Sequence, residues 1–132
     1  MTFLDSSVII DYLDGVDEVI DYIDNETEPP YFTSSMCVYE VVMGEVHTQG
    51  SSDVQGERTK FDWVNSIELN EQITMEAARL QHQLKQTGEL TSARDILIAA
   101  TARSTGDRLV VSDADFETEA LEAHMAVTNL RK

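Results

Sequence analysis

Four carboxylates stand inside or directly after the most apolar segments of the chain, where charged side chains are least expected. They are Asp5, Glu40, Asp95 and Asp113. An isolated ionised carboxylate in apolar surroundings costs several kcal/mol unless it is paired, hydrogen-bonded or bound to a cation. Sites made only of oxygen ligands favour Mg²⁺ or Mn²⁺. The chemistry that this pattern indicates is therefore the binding of a divalent metal ion.

Each of these acids also has a purely structural alternative. Ser92 and Asp95 match the S-x-x-D pattern of a capping box, in which the acid would reach back to the start of its helix. Asp5 and Asp113 can cap the helices that follow them, and Glu40 can be an exposed residue of its helix. The metal hypothesis rests on all four acids falling at the carboxyl ends of strands or on the helices that follow.

Basic side chains that could neutralise these acids are few. Arg94, Arg103 and Arg108 are the candidates, and we do not expect them to serve four carboxylates arriving from separate elements. For Arg94 and Arg103 a surface ion pair is expected, with contact to a phosphate as the alternative. Ser6 is expected to support the site, because a hydroxyl beside a metal-bound Asp can hydrogen-bond to it or to a coordinated water.

The elements that must position these acids alternate between short apolar runs and amphipathic helical segments. Strands are predicted over 2–4, 31–33, 66–69, 109–111 and 125–128. Helices are predicted over 8–13, 16–25, 36–46, 55–64, 71–86, 92–104 and 115–123, and loops over 28–30 and 49–53. This repeated order predicts an α/β fold with a mostly parallel sheet. Ligands of such sheets bind beyond the carboxyl ends of the strands.

Length and composition limit the class of protein. The 132 residues, 42% hydrophobic and 26% charged, predict one folded domain over 1–132. A net charge of −16 excludes a basic nucleic-acid footprint and a polybasic membrane patch as features of the whole protein. With no basic leader and no apolar run of about 20 residues, a soluble protein is expected. The single cysteine, Cys37, excludes an intrachain disulfide, is expected in the core and fits a reducing cytoplasm.

The excess of acids over lysines suggests a further property of the surface. Such a surface resembles proteins of organisms that keep molar salt in the cytoplasm, where the Debye length is only ~3 Å and self-repulsion is screened. The alternative is an ordinary acidic protein whose charge keeps it soluble. We expect a halophilic, salt-adapted protein.

Four segments, taken in order, resemble the PIN domain. They are Leu4–Asp11, Ser35–Glu40 with Gly44, Ala93–Ala102 and Leu109–Phe116. The resemblance is closest to the VapC toxins of type II toxin–antitoxin systems, and it runs from the first strand to near the C-terminus. It implies a PIN-like, three-layer α/β/α sandwich around a central, mostly parallel sheet.

The resemblance also implies an activity and partners. By position, Asp5, Glu40, Asp95 and Asp113 fall on the acidic quartet of the family, with Asp115 as an auxiliary acid. Mg²⁺ or Mn²⁺ held by this quartet would activate a water for in-line attack on an RNA phosphodiester, so the resemblance implies a metal-dependent endoribonuclease. The implied partners are a second copy of the chain and a VapB antitoxin whose C-terminal segment occupies the active-site groove.

Two features depart from the family pattern, and two other functions stay open. Val111 stands where the family often has Thr or Ser before the fourth acid, with Ser112 as a possible substitute, and the chain lacks a basic groove for RNA. One alternative is a catalytically silent, PIN-like partner-binding protein. The other is a haloacid-dehalogenase-like phosphatase, suggested by Asp113 and Asp115, although that fold places its D-x-D acids after the first strand.

The acidic composition predicts an unusual salt dependence of RNA binding. Because few basic residues are available for phosphates, binding should depend on the metal site and a few arginines and should release few counterions. RNA affinity measured by fluorescence anisotropy over a range of salt concentrations is expected to fall only weakly, or even to rise, with salt. A steep loss of affinity as salt rises would contradict this expectation.

Overall fold

A computed structural model of the protein describes residues 1–50, 53–116 and 118–131. The predicted loop over 49–53 contains Ser51 and Ser52, and the predicted helix over 115–123 contains Glu117. These three residues lie outside the described part of the chain, so the structure bears on the remainder of both segments only.

Every predicted strand and helix has a counterpart in the structure. The strands are β1 (Thr2–Leu4), β2 (Tyr31–Ser34), β3 (Val64–Ile67), β4 (Arg108–Val111) and β5 (Val127–Asn129). The helices are α1 (Ser6–Leu13), α2 (Asp17–Glu26), α3 (Ser35–Gln49), α4 (Val54–Thr59), α5 (Glu71–Gln86), α6 (Ala93–Thr105) and α7 (Thr118–Glu122). Within the ranges that the structure covers, no helix has the length and apolarity needed to cross a bilayer.

The largest error of the sequence prediction lies between α4 and β3. The helix predicted over 55–64 ends at Thr59, and Val64 already pairs with Tyr31 in the sheet. The guanidinium of Arg58 donates to the carbonyl oxygens of Phe61 at 2.9 Å and Val64 at 2.8 Å, which holds the turn that ends the helix. Since Phe61 is fully buried, a long-range packing position overrides the local helical pattern here.

The described strands form one parallel sheet in the order β3-β2-β1-β4-β5. The central strand β1 pairs with β2 on one side and with β4 on the other, so Phe3 lies opposite both Phe32 and Leu109. The chain therefore adds strands first to one side of β1 and then to the other. In open parallel sheets, ligands bind at such a switch point, beyond the carboxyl ends of the two strands.

Side chains of the central strands alternate between two apolar cores, one on each face of the sheet. Phe3 and Leu109 pack with α5 and α6, whereas Leu4 and Val110 pack with α1, α2 and α3. Because helices cover both faces, the central strands β1 and β4 are buried on both sides, and Phe3, Leu4 and residues 109–111 form a nearly continuous apolar layer. The predicted α/β/α sandwich with a parallel sheet is confirmed.

Candidate active site

Asp5 lies at the carboxyl end of β1 and caps helix α1. Its Oδ2 accepts hydrogen bonds from the backbone N–H of Ser7 at 3.1 Å and from the Ser7 hydroxyl at 2.6 Å. The same hydroxyl accepts from the backbone N–H of Ser112 at 2.9 Å, which ties the ends of β1 and β4 together. Asp5 is only 1% exposed. The capping role of Asp5 is therefore real, but it uses Oδ2 and leaves Oδ1 for another contact.

Glu40 approaches Asp5 from helix α3. This helix begins after Ser34, whose hydroxyl oxygen accepts from the backbone N–H of Met36. The Ser6 hydroxyl donates to Glu40 Oε1 at 3.0 Å. Burial raises the pKa of Glu40, but the hydrogen bonds and charge of Arg94, with the bond from Ser6, outweigh burial and lower the pKa below its usual value. Glu40 is thus an ionised, half-buried group and not a free surface charge.

Asp95 lies in the first turn of α6. The backbone N–H of Asp95 donates to the Ser92 hydroxyl oxygen at 3.2 Å, so Ser92 caps the helix as predicted. A complete capping box would also turn the Asp95 carboxylate back toward Ser92. Instead, Asp95 Oδ1 accepts from the guanidinium of Arg94 at 2.7 Å. The carboxylate is thereby directed into the same space as Asp5 and Glu40.

The guanidinium of Arg94 lies between these three carboxylates. Its Nε and Nη2 atoms donate to the two oxygens of Glu40, both at 2.7 Å. Nη1 donates to Asp95, and Nη2 also donates to Asp5 Oδ1 and to Ser6 Oγ, each at 2.9 Å. Burial lowers the pKa of Arg94, but the three acids raise it above its usual value, so the group stays charged. One guanidinium therefore pairs with three of the four acids, more than the sequence analysis expected of the nearby arginines.

The role of Arg94 was not recognised from the sequence. A surface ion pair was expected, which is what Arg103 makes with Glu76 at 3.4 Å, whereas Arg94 lies among three acids although its side chain is about as exposed as that of Arg103. One signal was available. A cation in the first turn of a helix interacts unfavourably with the helix dipole. The position of Arg94 in that turn therefore indicates that its charge is there for a reason other than the stability of the helix.

Asp113 follows β4 at the neighbouring strand end. Its Oδ1 accepts from the backbone N–H of Asp115 at 2.9 Å, and its carbonyl oxygen accepts from Asn129 at 2.8 Å. Asp113 thus stabilises its own loop and does not cap α7, which begins later, at Thr118. The Asp115 side chain is exposed. The structure brings three of the four predicted acids around one cation and holds the fourth on the adjacent loop.

A second polar cluster fixes the loop that carries Asp113. The Ser112 hydroxyl donates to Asp11 Oδ2 at 2.6 Å, and Arg131 donates to Ser112 Oγ at 3.1 Å and to Asp11 at 2.8 Å. Ser112, the expected substitute for the Thr or Ser of the family pattern, therefore points its hydroxyl at α1. Neither Asp11 nor Arg131 was singled out by the sequence analysis.

The donor set suits a hard divalent cation, but its spacing is that of a guanidinium. Asp5, Glu40 and Asp95, with the Ser6 hydroxyl, offer only oxygen atoms, as Mg²⁺ and Mn²⁺ prefer. Their oxygens are distributed around three separate nitrogen atoms of Arg94. In the part of the chain that the structure covers, no three His, Cys, Asp or Glu side chains stand ready to hold an ion. The donor atoms are therefore of the type that a divalent metal ion binds, but the side chains would have to move closer together to coordinate one.

The surface beside Glu40 is apolar and open. Tyr39 is 67% exposed and stands between two shallow recesses of about 430 and 360 Å³. The first is lined by Met36 and Leu69 as well as by Glu40, and the second includes Val42. An extended or helical segment that bound here would have direct access to the acidic cluster.

The chain matches the model of a known protein family over most of its length. The family model described as PIN domain matches residues 2–120 of the chain. That range includes Asp5, Glu40, Arg94, Asp95 and Asp113. Comparison with curated protein sequences finds no match.

Solved structures share the fold at low sequence identity. A toxin–antitoxin complex from Klebsiella pneumoniae matches with a TM-score of 0.79 at 18% identity, covering 100% of this chain and 99% of that chain. FitAcB from Neisseria gonorrhoeae matches with a TM-score of 0.79 at 23% identity, covering 98% of each chain. VapBC2 from Rickettsia felis, bound to a DNA fragment from its promoter, matches with a TM-score of 0.75 at 18% identity, covering 97% of each chain.

Cys37 lies directly behind the acidic cluster and is expected to be chemically inert. The residue is fully buried, and its Sγ is 3.9 Å from Asp5 Oδ1. Burial, followed by the negative charge of Asp5, raises the pKa of the thiol to about 12. Ellman's reagent at about pH 8 should therefore leave the folded protein unmodified and titrate one thiol after denaturation. Rapid modification of the folded protein would contradict this placement.

Proposed function

Because the chain belongs to the PIN domain family, we propose that it is a metal-dependent endoribonuclease that hydrolyses RNA phosphodiester bonds as the toxin of a VapBC-type pair. The observation that carries the proposal is the convergence of Asp5, Glu40 and Asp95 on one cation. The three acids come from β1, α3 and α6. Compared with apolar packing at the same place, a buried group of ion pairs adds little or no stability to a fold, which favours a functional reason for the cluster.

The proposed metal ligands are Asp5, Glu40 and Asp95, with Asp113 as the fourth acid from the neighbouring strand end. When bound there, Mg²⁺ or Mn²⁺ would supply an activated water and stabilise the negative charge that develops on the phosphorus oxygens. Asp115 is proposed as an auxiliary acid from its place in the family pattern, and its backbone N–H holds Asp113 Oδ1 at 2.9 Å.

Two hydroxyls prepare the ligands for this task. Ser6 donates to Glu40 Oε1 and so orients that carboxylate. Ser7 holds Asp5 Oδ2 through its hydroxyl and its backbone N–H, which leaves Oδ1 directed into the cluster. Supporting hydrogen bonds of this kind keep metal ligands in place and typically affect metal affinity about 10–100-fold. Ser6 and Ser7 are therefore proposed as positioning residues.

A protein partner is the second part of the proposal. The similar structure from Klebsiella pneumoniae is a toxin–antitoxin complex. The apolar surface around Tyr39, next to Glu40, offers a place for a partner segment beside the proposed catalytic acids. We therefore propose a VapB-like antitoxin as the partner that covers the site. The homodimer and the adaptation to high salt stay predictions of the sequence.

One alternative is favoured by a specific observation. A catalytically silent, partner-binding PIN protein would have its acids neutralised permanently, and Arg94 already neutralises three of them. The phosphatase alternative loses its support, because the family is that of the PIN domain and the chain carries its D-x-D acids after β4.

The nuclease proposal is tested by substitutions that keep the shape of the acids. Purified protein is incubated with mixed cellular RNA and Mn²⁺ at low and at molar salt, and cleavage is followed on gels. Asp5→Asn and Asp95→Asn should each lower the cleavage rate more than about 100-fold, beyond the loss typical of a residue that only supports a ligand.

Asp62→Asn is the matched control, because Asp62 is an exposed acid that precedes β3. It therefore lies at the amino ends of the strands, whereas the site lies at their carboxyl ends. The cleavage rate of this control should equal that of the wild type. Cleavage that persists in both active-site variants, or its absence from the wild type at every salt concentration, would overturn the assignment.

A further inference from the structure

We propose that Arg94 is a built-in counter-cation of the acidic site, and that a divalent metal ion has to displace its guanidinium before the site can form. This inference rests on the proposed function, because it concerns the same carboxylates. It adds a competition between a side chain of the protein and the metal, so that the metal-free protein holds its own site closed.

The first step of the argument is electrostatic. Asp5, Glu40 and Asp95 place three carboxylates around one guanidinium, and the Asp5 and Asp95 side chains are only 1% and 16% exposed. Without a cation between them, these groups would repel one another where water screens charge poorly. In a chain with a net charge of −16, the repulsion from other acids adds to this cost. Arg94 therefore stabilises the metal-free protein.

The second step is that Arg94 and a metal ion need the same atoms. The guanidinium engages both oxygens of Glu40, Asp5 Oδ1 and Asp95 Oδ1. Asp5 Oδ2 is already held by Ser7 and is not an alternative without loss of the helix cap. A small divalent cation draws its ligands to a single point at about 2.1 Å, which leaves no room for a guanidinium at the centre. The two occupants exclude each other.

The third step is that Arg94 can leave without unfolding its helix. Arg94 is the second residue of α6, its side chain is 30% exposed, and the neighbouring Glu40 side chain is 33% exposed. The outer side of the cluster therefore faces solvent. Ser92 holds the helix terminus through the backbone N–H of Asp95, a bond that does not involve Arg94. Rotation of one side chain is sufficient to open the site.

The test compares Mn²⁺ affinities by isothermal titration calorimetry at low salt, without RNA. Arg94→Gln removes the competing charge, so its dissociation constant for Mn²⁺ should be at least about tenfold lower than that of the wild type, because no charge-assisted hydrogen bonds must be broken first. Arg103→Gln is the matched control, since it removes the same charge from the same helix, where the described partners of Arg103 are Glu76 and Gln83. Its affinity should change less than about twofold.

A second variant covers the case in which Arg94→Gln does not fold without metal. Arg94→Lys keeps the positive charge but loses the planar fork that reaches three carboxylates at once. Its Mn²⁺ affinity should exceed that of the wild type, and circular dichroism should show a folded protein. If Arg94→Lys binds Mn²⁺ no tighter than the wild type does, the competition is refuted.

The possible results separate this inference from the nuclease proposal. Equal or weaker Mn²⁺ binding by Arg94→Gln, with measurable binding by the wild type, overturns the competition and leaves the proposed metal site intact. A complete lack of Mn²⁺ binding in all variants overturns both. Tighter binding by Arg94→Gln, with the Arg103→Gln control unchanged, supports the role assigned to Arg94.

Discussion

The ion pairs between Arg94 and three carboxylates hold together parts of the chain that are far apart in sequence. Asp5 ends the first strand, Glu40 lies on α3, and Asp95 shares the first turn of α6 with Arg94. Removing one partner of a buried ion pair leaves an uncompensated charge, which costs about 3–5 kcal/mol where burial is complete and less at this partly exposed site. The arrangement of the three carboxylates therefore depends on which cation lies between them. The position of that cation is set by the sheet, which places Asp5 at the end of β1.

The parallel sheet places this cluster at the switch point between β1 and β4. The Ser7 hydroxyl bonds both to Asp5 and to the backbone of Ser112, so the two strand ends cannot separate without disturbing the site. Ser112 in turn binds Asp11 and Arg131 through its hydroxyl. Asp113, the fourth acid of the proposed quartet, directly follows Ser112. Ser112 is held through its backbone N–H by Ser7 and through its hydroxyl by Asp11, so the loop that carries Asp113 is fixed next to the site.

The fold and the meeting of Asp5, Glu40 and Asp95 at one end of the sheet could be predicted from the sequence, because each acid stands in an apolar segment at the end of a strand or on a helix that follows one. Alternating strands and helices predict a parallel sheet, and carboxyl ends of adjacent strands meet at one edge. The pairing of Arg94 with Glu40 could not be predicted, since it depends on how α3 and α6 face each other across 54 residues of chain. The early end of α4 could not be predicted either, because the position of Phe61 is set by its burial in the core and not by the local helical pattern.

The most direct test of this account is the position of the metal in a crystal of the protein soaked with Mn²⁺, located by its anomalous scattering. The account expects one strong peak between Asp5, Glu40 and Asp95, at about 2.1 Å from their oxygens, with the Arg94 side chain turned out to solvent. A structure in which Arg94 keeps its bonds to all three acids while Mn²⁺ binds elsewhere, or not at all, would contradict it.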